Sequence, residues 1–576
     1  MKKIKSIAAL SLAVMMICGM ASCGPAANDG GDDTKPAATQ DGDKDGDKKT
    51  GEIKEFTAFH AVPGQDINED NKVQQLIAEK CGAKCKDTWL VGQTAEEAMG
   101  VMIAGGEYPD FVTAGKALPQ MIDAGDVVAI DEYWDNYPNV KNFYSEAQWN
   151  SIASEDGHVY LIPQFGNEYM YDTGTIHNDE AFWIQTRVLK WAGYPKVETL
   201  DEYFKLLNDY IDANPTMEDG TPNIGYEILC EDWRYFCLEN APFFLDGYPN
   251  DGCCIVDEET HKAIDYNTTP TAKRYFAKLN EQYNKTINDK DGKIYLDPEC
   301  FTMNYDTYIS KLSTGRVCGM CDQHWDFNDG ELAIKQAKLD GCTYVPLGIV
   351  IDKGIKERYH SASALDVSNG LSITKSCKDV EGAMQFLNDL LDPEIMNLRF
   401  WGVEGEDYEV GEDGLFYRTQ EMRDNAAEES YRKAQLCPYP YFPFYEGMNL
   451  DGKNAYNPDN QPSEFYDSLT DDVKECFDAY GYQTYTQFLN KSGENSAWFP
   501  MWSYSNNLNT DTPEGTAWTD MAQVKHEYLP KVCMAEDFDS AWDEYMDVYS
   551  SKCDVDTFIA ALDKEIQRRI DVAEGK

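Results

Sequence analysis

The chain begins with a short apolar segment that follows three lysines. Lys2, Lys3 and Lys5 precede an apolar run from Ile7 to Met20. This run is shorter than the roughly 20 residues that a membrane-spanning helix needs. A positively charged start followed by a short apolar stretch is typical of an export signal. We therefore treat residues 1–22 as a signal peptide and expect the rest of the chain to fold outside the cytoplasm.

The apolar run ends in Met20-Ala21-Ser22-Cys23. Small residues directly before a cysteine resemble the lipobox of bacterial lipoproteins, here with Met20 where Leu is usual. The resemblance implies that Cys23 is acylated and anchors the mature chain in the cell membrane; an ordinary secretory signal cleaved nearby is the alternative. Residues 24–51 contain no aromatic or large aliphatic side chain. Such a segment buries too little surface to fold, so residues 23–51 are predicted to form a flexible, lipid-anchored linker.

The net charge restricts the classes of partner. The formal net charge is −52 for the whole chain, and removal of the three lysines in residues 1–22 takes it to −55. A field of this sign repels nucleic acid and anionic lipid headgroups. Contact with the membrane is therefore expected through acyl chains alone. The roughly 525 residues behind the linker are enough for more than one core.

The cysteines do not predict a metal site. The chain has 17 cysteines, and 15 remain when Cys18 and Cys23 are set aside. An odd number cannot all pair within one chain. Cys318 and Cys321 have C-x-x-C spacing, but they lie in a strand-like stretch with no second pair or histidine cluster that could complete a tetrahedral site. We interpret them as incidental thiols and predict no metal and no cofactor.

No catalytic motif predicts an enzyme. The sequence lacks G-x-S-x-G, H-E-x-x-H and the full phosphate-binding motif G-x-x-x-x-G-K-[ST]. An anchored glycoside hydrolase stays an alternative, because 102 acidic residues always supply candidate carboxylate pairs and sequence does not give their separation.

The first folded segments alternate between strand and helix. Strands are predicted at 55–60, 87–92 and 109–113, an amphipathic helix at 71–81 that Gly82 ends, and a second helix at 95–104. This alternation predicts a parallel sheet covered by helices, with ligands bound beyond the carboxyl ends of the strands. Further on, a strand is predicted at 365–374, helices at 379–391, 534–549 and 555–572, and a loop at 437–444.

Several segments, in this order and spacing, resemble extracellular solute-binding proteins, family 1, of ABC importers. They are Ile103-Ala-Gly-Gly-Glu-Tyr-Pro-Asp-Phe-Val112, Met121-Ile-Asp-Ala-Gly-Asp-Val-Val-Ala-Ile130, Asp156-Gly-His-Val-Tyr-Leu-Ile-Pro163, Leu189-Lys-Trp-Ala-Gly-Tyr-Pro195, Thr314-Gly-Arg-Val-Cys-Gly-Met320, Phe400-Trp-Gly-Val-Glu-Gly-Glu-Asp-Tyr408 and Phe538-Asp-Ser-Ala-Trp-Asp-Glu-Tyr545. The resemblance covers nearly the whole mature chain. It implies a two-lobed α/β fold of the periplasmic-binding-protein type II, with the ligand cleft between the lobes.

The resemblance also implies how the chain is divided. Lobe 1 is expected at 52–165 and again at 359–410, and lobe 2 at 166–358 and again at 411–576. Some relatives carry a calcium loop of D-x-D-x-N-G type, but residues 214–223 read Asn-Pro-Thr-Met-Glu-Asp-Gly-Thr-Pro-Asn. The alternating oxygen ligands that calcium needs are missing from this segment.

The ligand class that the resemblance implies is a carbohydrate, most simply a neutral or weakly charged oligosaccharide that a monomeric binding protein delivers to ABC permease subunits. Tryptophan rings stack on the apolar faces of sugars while neighbouring polar groups bind the hydroxyls. Alignment with the family's ligand-facing loops and position beside the cleft select these candidates: Trp233, Arg234, His324, Trp325, Asp326, Trp401, Glu404, Gln164 and Trp89. A peptide ligand, and a surface glycan-binding lipoprotein without a transporter, remain alternatives.

Overall fold

A computed structural model gives the structure of residues 52–62, 64–154, 156–163, 172–362, 365, 367, 370–491, 495–574 and 576, apart from the side chains of Asp232 and Trp233. The predicted signal peptide, Cys23, the linker 23–51 and Gln164 lie outside the described residues. Residues Lys49–Lys576 form one compact unit, and the folded parts described below all belong to it.

The strands are short and distributed over the whole unit. They are β1 Lys54–His60, β2 Ala83–Trp89, β3 Phe111–Thr113, β4 Ile162–Pro163, β5 Glu180–Gln185, β6 Ile224–Tyr226, β7 Ile255–Asp257, β8 Lys262–Ile264, β9 Ile294–Leu296, β10 Gly319–Gln323, β11 Tyr344–Leu347, β12 Gly370–Ile373, β13 Glu409–Val410 and β14 Phe416–Tyr417.

The α-helices outnumber the strands among the described residues. They are α1 Lys72–Cys81, α2 Ala95–Gly105, α3 Leu118–Ala124, α4 Pro138–Lys141, α5 Glu146–Ile152, α6 Thr186–Trp191, α7 Leu200–Ala213, α8 Phe236–Glu239, α9 Ala241–Leu245, α10 Pro270–Asn288, α11 Tyr305–Ser313, α12 His324–Ala337, α13 Val380–Leu390, α14 Pro393–Phe400, α15 Gln420–Ala427, α16 Glu429–Gln435, α17 Pro462–Ser468, α18 Asp471–Tyr480, α19 Trp502–Ser505, α20 Pro513–Met534, α21 Phe538–Lys552 and α22 Val555–Ala573.

The first sheet has the strand order β2-β1-β3-β12-β4. β1 runs parallel to β2 and β3, whereas β12 runs antiparallel to β3 and β4. This confirms the parallel β1–β3 unit that the alternation predicts. The predicted helix is α1, and Gly82 ends it at φ 70°, a left-handed conformation that suits glycine. Because this turn reverses the chain at once, β2 begins at Ala83 rather than at the predicted Asp87.

The second sheet has the order β10-β5-β11, and both neighbours run antiparallel to β5. Every residue of β5 is buried. Trp183 lies at its centre and donates from its indole Nε1 to the carbonyl of Asp322, 2.8 Å away. Cys321 lies in β10, and Cys318 directly precedes that strand. All 15 cysteines of the described chain are buried and free of disulfide bonds. Burial raises the pKa of the Cys321 thiol well above its ordinary value.

Two hydrophobic cores organise the unit. The first gathers buried side chains of residues 56–162 and 371–456, and the second gathers those of residues 181–359 and 465–570. We call the parts around them the first lobe and the second lobe. The helices predicted at 534–549 and 555–572 are α21 and α22, which bury Trp542, Leu562 and Ile566 in the second core.

The chain therefore passes between the cores three times, at 163–180, 360–370 and 457–464. The third passage lies later than the boundary expected at 410, because residues 437–456 pack in the first core rather than the second. Their side chains Cys437, Tyr439, Phe442 and Tyr456 are each no more than 2% exposed. None of the helices in the described part of the chain combines the length and the apolar composition that a bilayer crossing requires.

Candidate functional site

A large cleft lies where the two lobes meet. Its volume is about 2160 Å³, and residues of both lobes line it. The first lobe contributes Trp89, Tyr441, Phe444 and Glu446, and the second contributes Asp179, Tyr235, Phe236, Trp325, Trp518 and His526. A cleft of this size exceeds the roughly 300–1,000 Å³ of a pocket for one drug-sized molecule.

The wall formed by the first lobe begins at the end of β2. Trp89 is the last residue of that strand, so it lies at the carboxyl edge of the parallel strands, where ligands of such sheets bind. Its ring packs between His60, 4.9 Å away, and Tyr441, 5.3 Å away. A Cβ on Gly64 would lie 2.1 Å from the Trp89 ring. Only glycine fits there, and the backbone at Gly64 therefore holds the indole in place.

A buried arginine fixes the loop that carries Tyr441. Arg399, in the last turn of α14, is 2% exposed. Its guanidinium donates to the carbonyls of Pro438 (2.9 Å), Leu390 (2.9 Å), Pro443 (2.8 Å), Tyr439 (3.0 Å) and Phe442 (3.2 Å). Four of these carbonyls belong to the loop. Desolvation lowers the pKa of Arg399 to about 9, so the side chain stays charged at neutral pH.

The wall formed by the second lobe is centred on Trp325 in the first turn of α12. Its ring is 41% exposed and its Nε1 donates to Oε1 of Gln323 over 2.6 Å. The amides of His324 and Trp325 donate to the carbonyls of Asp179 (3.4 Å) and Asn178 (3.5 Å). The start of α12 and the segment that enters β5 are thus joined, which places Trp325 beside Asp179.

Further aromatic groups extend this wall along α20. The rings of Tyr235 and His526 stack with centroids 3.7 Å apart, and the Tyr235 hydroxyl donates to the His526 carbonyl over 2.8 Å. Trp518 stacks on Phe558 at 4.8 Å. Aromatic surface therefore lies on both sides of the cleft.

Carboxylates line the cleft from both lobes. Among them are Asp179 and Glu446, one from each lobe, and both side chains are partly buried. Burial raises the pKa of Asp179. Burial, and in second place the charge of Asp179, raises the pKa of Glu446. Another of these carboxylates, Asp172, is paired: its Oδ2 lies 2.6 Å from Nε2 of His360.

The structure brings together two of the residues predicted from sequence. Trp89 and Trp325 line the cleft on opposite walls. Trp233 has no described side chain, and Gln164 lies outside the described residues. The remaining candidates do not line the cleft.

Arg234, Asp326 and His324 support the second-lobe wall from behind. Arg234 Nε donates to Asp326 Oδ1 over 2.7 Å, and its guanidinium lies 4.0 Å from the centroid of the Tyr305 ring. Asp326 is 1% exposed. His324 packs on Trp183 at 5.2 Å. Neighbouring residues on a helix point about 100° apart, so Trp325 faces the cleft while Asp326 faces the core.

Trp401 and Glu404 do not line the cleft. Trp401 is fully buried and donates from Nε1 to the carbonyl of Ala455 over 3.1 Å. Glu404 is exposed on the surface nearby. The Trp401 indole is therefore a core side chain in this structure.

The residues that sequence reasoning missed are Asp179, Tyr441, Glu446, Trp518 and His526. The aromatic and proline-rich composition of 437–444 predicted only a loop, because composition does not tell which core a loop packs on. Trp518 and His526 lie on α20, more than 190 residues after Trp325 in the chain, and no local pattern links them.

Among the described residues, two groups of potential metal ligands lie within the core. They are Asp251 with Cys253 and Cys254, and Cys237 with Asp322 and Asp326. In the second group the thiol of Cys237 donates to Asp322 Oδ1 over 3.2 Å and the hydroxyl of Tyr308 donates to Asp322 Oδ2 over 2.5 Å. Both oxygens of Asp322 thus accept hydrogen bonds from within the chain.

Solved structures with the same fold cover almost the whole chain. One is an HMO-binding, ABC-transporter-associated solute-binding protein from Bifidobacterium longum infantis, with 14% identity, a TM-score of 0.62, and 90% of this chain and 99% of that chain covered. Another is the Streptococcus pneumoniae ABC-transporter substrate-binding protein FusA in complex with kestose, with 16% identity, a TM-score of 0.60, and 89% and 99% covered.

A third similar structure is the N-glycan transport solute-binding protein NgtS of Streptococcus pneumoniae, with 14% identity, a TM-score of 0.52, and 90% of this chain and 99% of that chain covered. At these identities the likeness establishes the fold, which is the two-lobed α/β fold of periplasmic solute-binding proteins. No protein with curated annotation shows significant sequence similarity to the chain.

The family comparison is more direct. The family model described as bacterial extracellular solute-binding protein matches residues 91–403, which is more than half of the chain. Proteins of this family act outside the cytoplasm and bind solutes rather than transform them. The chain belongs to the family of bacterial extracellular solute-binding proteins.

Proposed function

We propose that this protein captures an oligosaccharide outside the cell and delivers it to the permease of an ABC importer, while an acylated Cys23 holds it at the membrane. The observation that carries the proposal is the cleft with aromatic rings on both walls. Trp89 and Tyr441 form one wall, and Trp325, Tyr235 and Trp518 lie on the other.

This arrangement matches what a sugar chain requires. Aromatic rings bury the apolar faces of sugar rings, and acceptor groups such as the Asp179 and Glu446 carboxylates bind hydroxyls. A volume of about 2160 Å³ accommodates several sugar units. Solved proteins with the same fold are described as HMO-binding, as in complex with kestose, or as an N-glycan transport solute-binding protein, which supports a carbohydrate ligand here.

The three passages between the lobes support a closing motion. Asp172 on the first passage pairs with His360 on the second, and the hydroxyl of Thr175 donates to the carbonyl of Asn460 on the third over 3.1 Å. The connecting segments are therefore gathered in one place, which is what hinge closure around a ligand needs.

The ligand class is tested by thermal-shift measurement against a glycan panel and a peptide library. A ligand present at 100 times its dissociation constant stabilises the folded protein by about 2.7 kcal/mol, which gives a clear shift. We expect glycans to raise the melting temperature and peptides to leave it unchanged. The reverse result would refute the carbohydrate assignment.

The site is tested by Trp325→Ala with Trp191→Ala as the matched control. Trp191 is 46% exposed, close to the 41% of Trp325, but it does not line the cleft. Loss of one sugar face stacked on a Trp ring costs about 1–3 kcal/mol by area. Trp325→Ala is therefore expected to weaken binding about tenfold or more, and Trp191→Ala to bind as the unaltered protein does. Normal binding by Trp325→Ala would remove Trp325 from the site.

Delivery to a permease is tested by uptake. Deletion of the gene is expected to abolish uptake of the bound glycan, and permease subunits are expected to co-purify with the protein. Uptake that is independent of any permease would instead indicate a surface glycan-binding protein.

A further inference from the structure

A turn beside the cleft gathers two thiols and a carboxylate. Asp251, Cys253 and Cys254 each offer one ligand atom, and these atoms lie within 4.8 Å of one another. Gly252, between them, has φ 65°, a left-handed conformation that turns the chain and lets the flanking side chains converge. Asp251 and Cys253 are each 5% exposed, and Cys254 is 1% exposed. We call these three residues the dithiol cluster.

One oxygen of the buried Asp251 carboxylate is available to a ligand. Oδ2 accepts from the amide of Met501 over 3.0 Å, whereas Oδ1 is buried and has no hydrogen-bond partner among the described residues. Arg569 is close enough for its charge to act on Asp251, but its guanidinium pairs with Glu565 over 2.8 Å. Burial raises the pKa of Asp251 to about 6, as expected when a carboxylate loses water without gaining an ion-pair partner. A buried acceptor of this kind normally has a partner, so Oδ1 points to a bound group.

A small cavity adjoins the dithiol cluster. Its volume is about 20 Å³, and Asp251 and Cys254 belong to its lining. A volume of about 10–15 Å³ holds one water molecule. Glu258 and Arg358 also line the cavity, but they form an ion pair with each other. The cavity therefore leaves room for one small ion or one water molecule beside the carboxylate and a thiol.

The types of ligand atom determine which ion fits. Thiolates bind borderline and soft cations such as Zn²⁺, whereas Ca²⁺ and Mg²⁺ take oxygen ligands. Two thiolates and one carboxylate supply three ligands, and a water molecule in the cavity completes a tetrahedron. Ligand atoms around a tetrahedral zinc ion lie about 3.6–3.8 Å apart at ordinary bond lengths. Side-chain rotation brings atoms that lie within 4.8 Å of one another to this spacing.

We propose that Asp251, Cys253 and Cys254 bind a zinc ion that fixes the turn beside the cleft. Asn250 and Gly252 of this turn line the cleft. The hydrogen bond from the Met501 amide joins the turn to the start of α19. The ion thus stabilises part of the cleft wall in the second lobe. The inference goes beyond the proposed function and does not depend on which solute the cleft binds.

The sequence gave no sign of this site. Common zinc motifs place two or more residues between paired cysteines, and adjacent cysteines do not have that spacing. The left-handed turn at Gly252 is what brings the carboxylate to the two thiols.

The test uses the unaltered protein, stripped of metal with a chelator and kept reduced with a phosphine. Isothermal titration calorimetry with Zn²⁺ alone is expected to show one equivalent bound with a dissociation constant on the order of 1 μM or tighter. Titration with Co²⁺ is expected to give the visible bands of a tetrahedral ion and a thiolate-to-metal charge-transfer band. Surface carboxylates that bind the ion weakly give no such band. Absence of the stoichiometric binding, or of the thiolate band, would overturn the proposal.

Variants assign the site to these residues. Cys253→Ala and Cys254→Ala are each expected to weaken Zn²⁺ binding about a hundredfold, the share of one ligand in a four-ligand site. Asp251→Asn is expected to weaken it less, because an amide oxygen is a poorer ligand than a carboxylate but still reaches the ion. Cys553→Ala is the matched control: this thiol is 8% exposed and belongs to the same core but not to the cluster. It is expected to bind Zn²⁺ as the unaltered protein does.

Two outcomes with the variants would also overturn the proposal. Zn²⁺ binding that persists when Cys253 and Cys254 are both replaced by Ala places the ion elsewhere. Equal loss of binding in Cys553→Ala shows that the effect does not come from the cluster. Circular dichroism confirms that each variant is folded, and the titration of the unaltered protein decides the question even if a variant is not.

Discussion

Replacement of Arg399 by Met is expected to cost the protein about 2–4 kcal/mol of unfolding free energy. The substitution removes the Arg399 donor from five buried carbonyls, and the Tyr439 carbonyl keeps a hydrogen bond from the amide of Phe442 over 3.0 Å. At about 1 kcal/mol for each of the other four, the lower end of the range for an unsatisfied buried group, this amounts to about 4 kcal/mol. Removal of a buried charge returns part of that sum, because the guanidinium no longer has to be desolvated. The remaining cost is large for a single substitution.

The measurement is urea-induced unfolding followed by fluorescence, with Arg568→Met as control. Arg568 pairs with Glu565 on the surface of α22, and its side chain is 56% exposed. Its substitution is expected to change stability by no more than about 0.5 kcal/mol. Arg399→Lys is expected to lie in between, because an ammonium has three donors and cannot reach all five carbonyls.

The loop that Arg399 holds carries Tyr441 into the cleft, so ligand binding supplies a second readout. Arg399→Met is expected to weaken binding even under conditions in which the variant is fully folded. A variant whose unfolding free energy stays within 1 kcal/mol of the unaltered protein would show that the five hydrogen bonds do not determine the stability of this loop.

Two further predictions concern the anchor and the second core. Cys23→Ala is expected to release the protein from membranes and to abolish metabolic labelling with palmitate; labelling that persists in this variant would refute acylation at Cys23. Burial, and then the charge of Asp326, raises the pKa of Asp322, so the folded protein keeps a proton that the unfolded chain releases. The stability this contributes is complete below the ordinary carboxyl pKa of about 4 and is lost as pH rises through the raised value. Asp322→Asn should therefore lose less stability than the unaltered protein between pH 5 and pH 8; parallel curves would contradict the burial of a titrating Asp322.

The sequence predicted those helices correctly whose signals, apolar spacing and a terminal glycine, lie within or next to the helix itself. The α1 helix, its end at Gly82, and the C-terminal helices α21 and α22 follow from apolar spacing and a glycine stop. The start of β2 was wrong by four residues, since a left-handed glycine allows a strand to begin immediately after a helix.

The cleft was harder to predict because its walls come from distant parts of the chain. The resemblance placed His324, Trp325 and Asp326 together near the ligand, yet only Trp325 lines the cleft. Whether one of these side chains lines the cleft depends on the direction in which it points from the first turn of α12, and its position in the motif does not give that direction. Trp401 was selected in the same way and is a core residue, because its environment depends on Ala455, 54 residues later.

The interleaving of the two lobes in the sequence has a consequence for how the protein is made. In the first sheet β12 lies between β3 and β4, and β4 pairs with β12 alone. A ribosome that has completed residues 1–369 has therefore produced a first lobe with a gap in its sheet, and residues 437–456 of its core are still to come. No contiguous fragment contains one whole lobe without part of the other, and such long-range pairing delays folding. The first lobe thus stays incomplete through most of the synthesis of the chain, until residues 437–456 have been made.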